Sequence, residues 1–276
     1  MATAILVGVL TGCTGATGSS TADTGRKSPR ASAPTTTKPA EPPPPAPDIG
    51  TCHELTYSAV SHYSNAPDAV ACKKPHTSYT FAVKKLPGNV LVDGVDIGNQ
   101  SIQDTAEGMC HQSFKDFIGG DAATRARSRL TATYFLPNQK GFDRGAHWVR
   151  CDVIAWQAPK VLAELRTRLS GLLNDDKALQ DYGVCGQGEP GSKGFRLVMC
   201  SQDHSYRALA ALRLGKDSSG YPGQQVTRVE GQKRCENQLA ETLGAAGGYT
   251  YGWTYPTRKD WRDGRRFGYC WHKTGS

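Results

Sequence analysis

Pro137-Asn138-Gln139-Lys140-Gly141-Phe142-Asp143-Arg144-Gly145-Ala146-His147-Trp148-Val149-Arg150-Cys151 returns as Pro256 to Cys270, with Trp261 in place of Phe142 and Gly264 matching Gly145. The spacing from proline to cysteine is the same in both copies. Working outward, Cys110 corresponds to Cys235, Cys72 to Cys200, and Cys52 to Cys185. A period this long governs the reading of every shorter motif, so the chain divides into two tandem four-cysteine units.

Each unit carries the same sequence of local signals. In the first, Tyr79 to Val83 alternates larger and smaller side chains as a half-buried strand does, and Leu86-Pro87-Gly88 ends it. Cys110, Phe114, Phe117 and Ile118 fall on one face of a helix that Gly119-Gly120 stops, so Cys110 points inward. Leu130 to Leu136 and His147 to Ile154 read as strands on either side of the Pro137 turn. The second unit repeats the order. Gly183-Val184-Cys185, Phe195 to Cys200 and Arg207 to Leu214 precede a helix face of Cys235, Leu239 and Leu243 that Gly244 stops, and Tyr249 to Tyr255 and Phe267 to Trp271 follow. The expected fold class is α+β, with two disulfide-stapled units, each a small antiparallel sheet covered by a helix. The units span 50–156 and 182–276. In the connector, 157–181, Val161, Leu165, Leu169 and Leu172 fall at helical spacing, while Gly171 and the alternation from Leu165 to Leu169 also permit an extended run.

Units of about 100 residues bury limited cores, and exported domains of that size commonly add disulfides. Cys52, Cys72, Cys110, Cys151, Cys185, Cys200, Cys235 and Cys270 form the framework. Confining bonds to each unit leaves about nine pairings. The expected one joins Cys52 with Cys72, Cys110 with Cys151, Cys185 with Cys200 and Cys235 with Cys270. In each unit the first bond closes a short loop and the second ties the helix to the last strand.

The ninth cysteine has a different context. Residues 2–10 form a short apolar run ending in Leu10-Thr11-Gly12-Cys13, the pattern of a lipoprotein signal peptide (1–12) preceding a lipidated cysteine. The run is too short to span a bilayer, which takes about 20 apolar residues. Acyl chains on Cys13 would hold the mature chain on the membrane at about 0.8 kcal/mol per buried CH₂. From Cys13 to Ile49 the sequence is mostly Ser, Thr, Gly, Ala and Pro, a composition too poor in large aliphatic residues to offset ordering entropy. It reads as a disordered linker, with a reach on the order of 110 Å at about 3.1 Å per residue.

The formal net charge of +8 is uneven. Residues 50–156 carry 11 Lys and Arg against 10 Asp and Glu, whereas residues 182–276 carry 14 against 8. A positive field on the second unit attracts anionic surfaces such as wall polymer or lipid headgroups. Nucleic acid is not an expected partner for an exported chain. The basic and aromatic residues of the second copy, Trp261, Arg262, Arg265 and Arg266 above all, are candidate ligand contacts through charge and ring stacking.

Taken in order, Gly-x-Cys, then Cys72-x-x-Pro75-His76, Cys110, and Pro137-x4-Phe142-x2-Gly145-x5-Cys151 resemble the bacterial septum-formation domain family, and Cys200, His204, Cys235, Pro256, Trp261, Gly264 and Cys270 repeat the match. The resemblance implies a secreted, membrane-anchored envelope protein with a role in division and no assigned reaction. The family usually carries an acidic residue three positions after the histidine; this chain has Tyr79 and Arg207 there.

His76 and His204 stand at strand starts, where an imidazole closes a turn or meets a ligand. Zinc knuckles of the form Cys-x2-Cys are absent and disulfides suit an oxidising compartment, so neither metal nor cofactor is expected. The sequence lacks Gly-x-Ser-x-Gly, His-Glu-x-x-His and the paired motifs of Ser-x-x-Lys enzymes. The expected activity is therefore non-enzymatic binding or scaffolding at the envelope, with an anionic wall polymer or a division or envelope protein as partner. The competing reading is a wall hydrolase, whose carboxylates have no local signature because their separation is a property of the fold.

Overall fold

A computed structural model describes residues 41–64, 68–92, 94–244 and 250–274. Residues 1–40, where the signal peptide, the lipidated Cys13 and most of the linker are expected, lie outside the described residues, as does Tyr249.

The first half runs β1 (Cys52–His53), α1 (Tyr57–Val60), β2 (Ser78–Lys85), α2 (Gln100–Ile118), α3 (Ala122–Ala126), β3 (Leu130–Phe135), α4 (Gln139–Asp143) and β4 (Trp148–Ala158). Its sheet has the antiparallel order β1-β2-β4-β3. Asn99 caps α2 by accepting from the Ser101 amide, and Gly119, at φ 76°, ends it. Ile102, Ala106, Cys110, Phe114 and Ile118 are buried at every fourth position of α2. That stripe packs on β2 and β4, where Phe81, Val149, Cys151 and Val153 join the same core.

The connector does not form the helix that the spacing of Val161, Leu165, Leu169 and Leu172 permits. β5 (Val161–Leu162) pairs with β4 instead. The Ala163 amide then donates to Ala155 O and the Leu165 amide to His76 O, so alternate residues bond to neighbouring segments. Ala163 and Leu165 are buried while Glu164 between them is exposed, a period of two that defeats the sparse helical one. Gly171, left-handed at φ 66°, turns the chain into α5 (Ala178–Tyr182).

The second half follows as β6 (Val184–Gln187), β7 (Arg196–Met199), β8 (Tyr206–Arg213), α6 (Gln224–Leu243), β9 (Tyr251–Thr254), α7 (Arg258–Arg262) and β10 (Phe267–Lys273). Its sheet order is β7-β6-β8-β10-β9. Removing β7 leaves β6-β8-β10-β9, the counterpart of β1-β2-β4-β3. A one-residue bulge recurs at the same place, between Thr80 and Ala82 opposite Cys151 and between Ala208 and Ala210 opposite Cys270. Two independent domains would not share so local an irregularity, so duplication extends to backbone detail. On α6, Thr227, Gly231, Cys235 and Leu239 face inward, but Leu243 is exposed. The stripe read from the sequence thus ends one turn early.

The halves pack as parts of one compact unit. The Arg129 amide donates to Tyr182 O and the Val184 amide to Arg127 O, while Leu179, Tyr182 and Met199 enter the first half's core. The last stretch of the linker also belongs to the body. Pro44 lies on Gly141 and Glu41 pairs with Arg144, just ahead of the first unit's opening, where Gly50 and Thr51 bond to Thr80.

Candidate binding cleft

Each cysteine pair brings two elements together. Cys52 and Cys72 have Cα atoms 5.3 Å apart, Cys110 and Cys151 5.2 Å, Cys185 and Cys200 4.9 Å, and Cys235 and Cys270 5.4 Å. The long-loop bonds fasten α2 to β4 and α6 to β10. The bridged thiols are therefore withdrawn from nucleophilic chemistry.

His76 and His204 occupy equivalent turns. In each, Nδ1 meets the carbonyl two residues back, Lys74 O at 2.8 Å and Gln202 O at 2.7 Å. A carbonyl accepts only, so Nδ1 carries the proton. His76 is buried and its Nε2 has no hydrogen-bond partner. Both histidines close their turns, and neither lines the cleft described below.

The basic-aromatic stretch divides between core and surface. Thr257 and Asp260 form a capping box at the start of α7, which fixes the turn between β9 and β10. Trp261 is buried, with Nε1 donating to Ser219 O at 2.8 Å. Arg266 is buried over the Trp261 ring, 4.4 Å from its centroid, and donates to Trp261 O and Asp217 O. The pair replaces the Phe142 and His147 rings, 4.8 Å apart, of the first half. Trp261 and Arg266 therefore build the fold. Arg262 is exposed, and Arg265 extends over Asp260 and Asp263 at 2.7 and 2.8 Å.

Between the halves lies a cleft of about 660 Å³. One wall comes from the first half, with Phe114 and Lys115 of α2, Arg125 of α3 and Thr131 of β3. The other comes from the second half, with Phe195, Arg213, Tyr255, Arg265, Phe267 and Tyr269. The Tyr269 hydroxyl crosses the boundary to donate to Ala126 O at 3.0 Å, and burial pushes this phenol up. Lys115 is exposed, whereas Arg125 donates to the carbonyls of Gly119 and Gly120 at the end of α2.

Counting Arg266, five cationic groups line the cleft against the carboxylates of Asp217 and Asp260. Both carboxylates are engaged, Asp217 by Arg213 at 2.5 Å and Asp260 by Arg265 and Thr257. Burial raises the Asp260 carboxyl, but hydrogen bonds from Thr257 and Arg265 outweigh it and hold the group below the usual carboxylate range. A carboxylate so depressed is a poor proton donor near neutrality, and the cleft is equipped to hold an anion.

The family model for septum formation matches residues 49–270, across both halves. The chain belongs to the septum-formation family. No curated protein and no solved structure matches it. The sequence had pointed to Arg265 and Arg266, two of the residues around the cleft. Lys115, Arg125, Arg213, Tyr255 and Phe267 had no local signal, because they come from separate elements of two halves. Among the described residues no helix is long and apolar enough to cross a membrane.

Proposed function

We propose that this septum-formation protein is a non-enzymatic binding or scaffolding module of the cell envelope, held to the outer face of the membrane through lipidated Cys13. The observation that carries the binding reading is the cleft between the halves, with aromatic walls, surplus cationic groups and carboxylates already paired with arginines. An extended anionic ligand gains charge pairing and ring contact there without displacing a reactive group. A hydrolase would need two carboxyl groups disposed about a scissile bond, and Asp217 and Asp260 are committed to Arg213 and Arg265.

Two measurements test this reading. Membrane fractionation of Cys13→Ser should release the protein into the soluble fraction, and retention of the variant after a high-salt wash would place the anchor elsewhere. Incubation of the full-length protein with purified anionic wall material should give salt-sensitive co-sedimentation and no release of soluble fragments. Fragment release above that of a boiled control would make the protein an enzyme.

A further inference from the structure

The cleft does not end at Tyr255. That side chain also borders two further hollows on the second half, of about 270 and 340 Å³, so three depressions meet at one ring. The pairing of α6 with the strand β9 produces this row. Along the helix Gln224, Arg228 and Gln232 recur at every fourth position, and along the strand and its extension Trp253 and Tyr255 stand two apart, so each set shares a face. Hydrogen bonds tie the two sets together, from Trp253 Nε1 to Thr227 O at 3.1 Å and from Gln224 Nε2 to the Tyr255 hydroxyl at 3.4 Å.

The cations of these outer hollows differ from those of the cleft. Arg213 and Arg265 are paired with Asp217, Asp260 and Asp263. Arg258 lines one outer hollow with Tyr221, and Arg228 lines the other with Trp253; both arginines are exposed and neither forms an ion pair among the described residues. No Asp or Glu lines either hollow. Arg258 lies 5.1 Å from the Tyr221 ring centroid, a contact that leaves its N–H donors for an anion.

A flexible chain with repeated negative charges can follow such a row, whereas a flat layer of headgroups spans the hollows without filling them. Once one stretch of the chain is held, every further contact forms within the same complex. We infer that a linear polyanion seated in the cleft continues past Tyr255 into the groove between α6 and β9, with Arg258 and Arg228 as its outer anion contacts. The conclusion rests on the binding reading above and narrows the ligand to a chain polymer long enough to reach from the cleft to Arg228.

The test is fluorescence anisotropy of a labelled long-chain inorganic polyphosphate titrated with the full-length protein, with unlabelled tripolyphosphate as the short competitor. Expressed per phosphate, the long chain is expected to bind about a hundredfold more tightly than the short one, the gain that linked contacts give. Arg228→Gln combined with Arg258→Gln should reduce that advantage about tenfold, whereas Lys115→Glu in the cleft should weaken both lengths. Lys84→Gln combined with Lys85→Gln removes the same charge from exposed positions on β2 and should leave the advantage whole. Near-ultraviolet circular dichroism confirms that each variant is folded. If Lys115→Glu weakens both lengths but the arginine pair leaves the advantage intact, the continuation along α6 is wrong and the cleft reading survives. If neither length binds, or Lys115→Glu weakens neither, both fall. An advantage lost equally with the β2 lysines would reduce the groove to net charge. Binding to phosphatidylglycerol vesicles that needs Arg228 and Arg258, together with chain binding that does not, would make a membrane surface the occupant instead of a polymer.

Discussion

Arg150 and Asp152 face each other at 3.0 Å on the back of the first sheet, where neither side chain is more than 2% exposed. Ser78 and Thr80 donate to the Asp152 carboxylate at 2.6 and 2.8 Å, and the guanidinium lies 4.3 Å from the Phe135 ring centroid. In the second half the equivalent positions are Tyr269, Trp271, Tyr206 and Ala208, and Trp271 is fully buried against Phe195. One backbone plan thus carries a buried ion pair in one copy and an aromatic cluster in the other.

Removing one partner of a buried pair leaves an uncompensated charge and costs about 3 to 5 kcal/mol, whereas apolar replacement of the whole set is often neutral. Asp152→Ala should therefore lower unfolding stability by about that amount, measured by urea denaturation with disulfides intact. A loss under about 1 kcal/mol would mean that the back face is held by packing alone.

The disulfides should differ in what their loss exposes. Replacing Cys110 and Cys151 together opens a loop of sequence separation 41 at two buried positions, and replacing Cys185 and Cys200 opens one of 15. In the chain-entropy model the bonds contribute about 4 and 3 kcal/mol respectively. All four positions are buried, so each double-alanine variant leaves a cavity, and thermal unfolding should rank the two by loop length in that order. Equal losses would show that unfolded-chain entropy does not set the difference.

The duplicated plan, the strand and helix order and the inward cysteines were legible because each rests on local spacing that recurs. The two faces of the sheet were harder. Trp261 and Arg266 read as a basic-aromatic surface, yet the residue before the β10 strand turns inward to cover the indole. No period of two or four announces that, since the turn geometry decides it. The cleft was less legible still. Lys115 and Arg213 face one space because the halves bond through Arg127, Arg129, Tyr182 and Val184, contacts with no trace in either repeat taken alone.

Gly231 interrupts α6 at a cost of roughly 1 kcal/mol relative to alanine. Its reason is Trp253, whose indole lies against both Gly231 and Gly268, so that a Cβ at either glycine overlaps the ring. Trp253 Nε1 is held by Thr227 O at 3.1 Å, which prevents the ring from moving aside. Gly231→Ala should therefore destabilise by about 1 to 3 kcal/mol despite its better helix propensity. In combination with Trp253→Leu the penalty should shrink, a coupling that a double-mutant cycle measures directly. Additive losses would break the proposed contact.

Asp260 ties the stability of the turn to the charge of the cleft with opposite signs. Burial raises its carboxyl, but Thr257 and Arg265 more than compensate, so its folded pKa lies below the ordinary 3.8. A carboxyl depressed on folding stabilises the native state fully above its unfolded pKa, and that contribution disappears as pH falls below 3.8 through the folded value. Asp260→Asn should accordingly be less stable than the parent at pH 7, and the difference should narrow as pH drops through that window. The same substitution removes a negative charge beside Arg265 and leaves its guanidinium paired with Asp263 alone, so the cleft gains net positive charge. Affinity for an anionic probe should then rise at low salt, and the gain should fade as added salt screens the exposed charge. Denaturation curves across the acid range and anisotropy titrations at two ionic strengths measure both effects on one variant. Loss of affinity together with loss of stability would mean that Arg265 binds only when the capping box holds it in place.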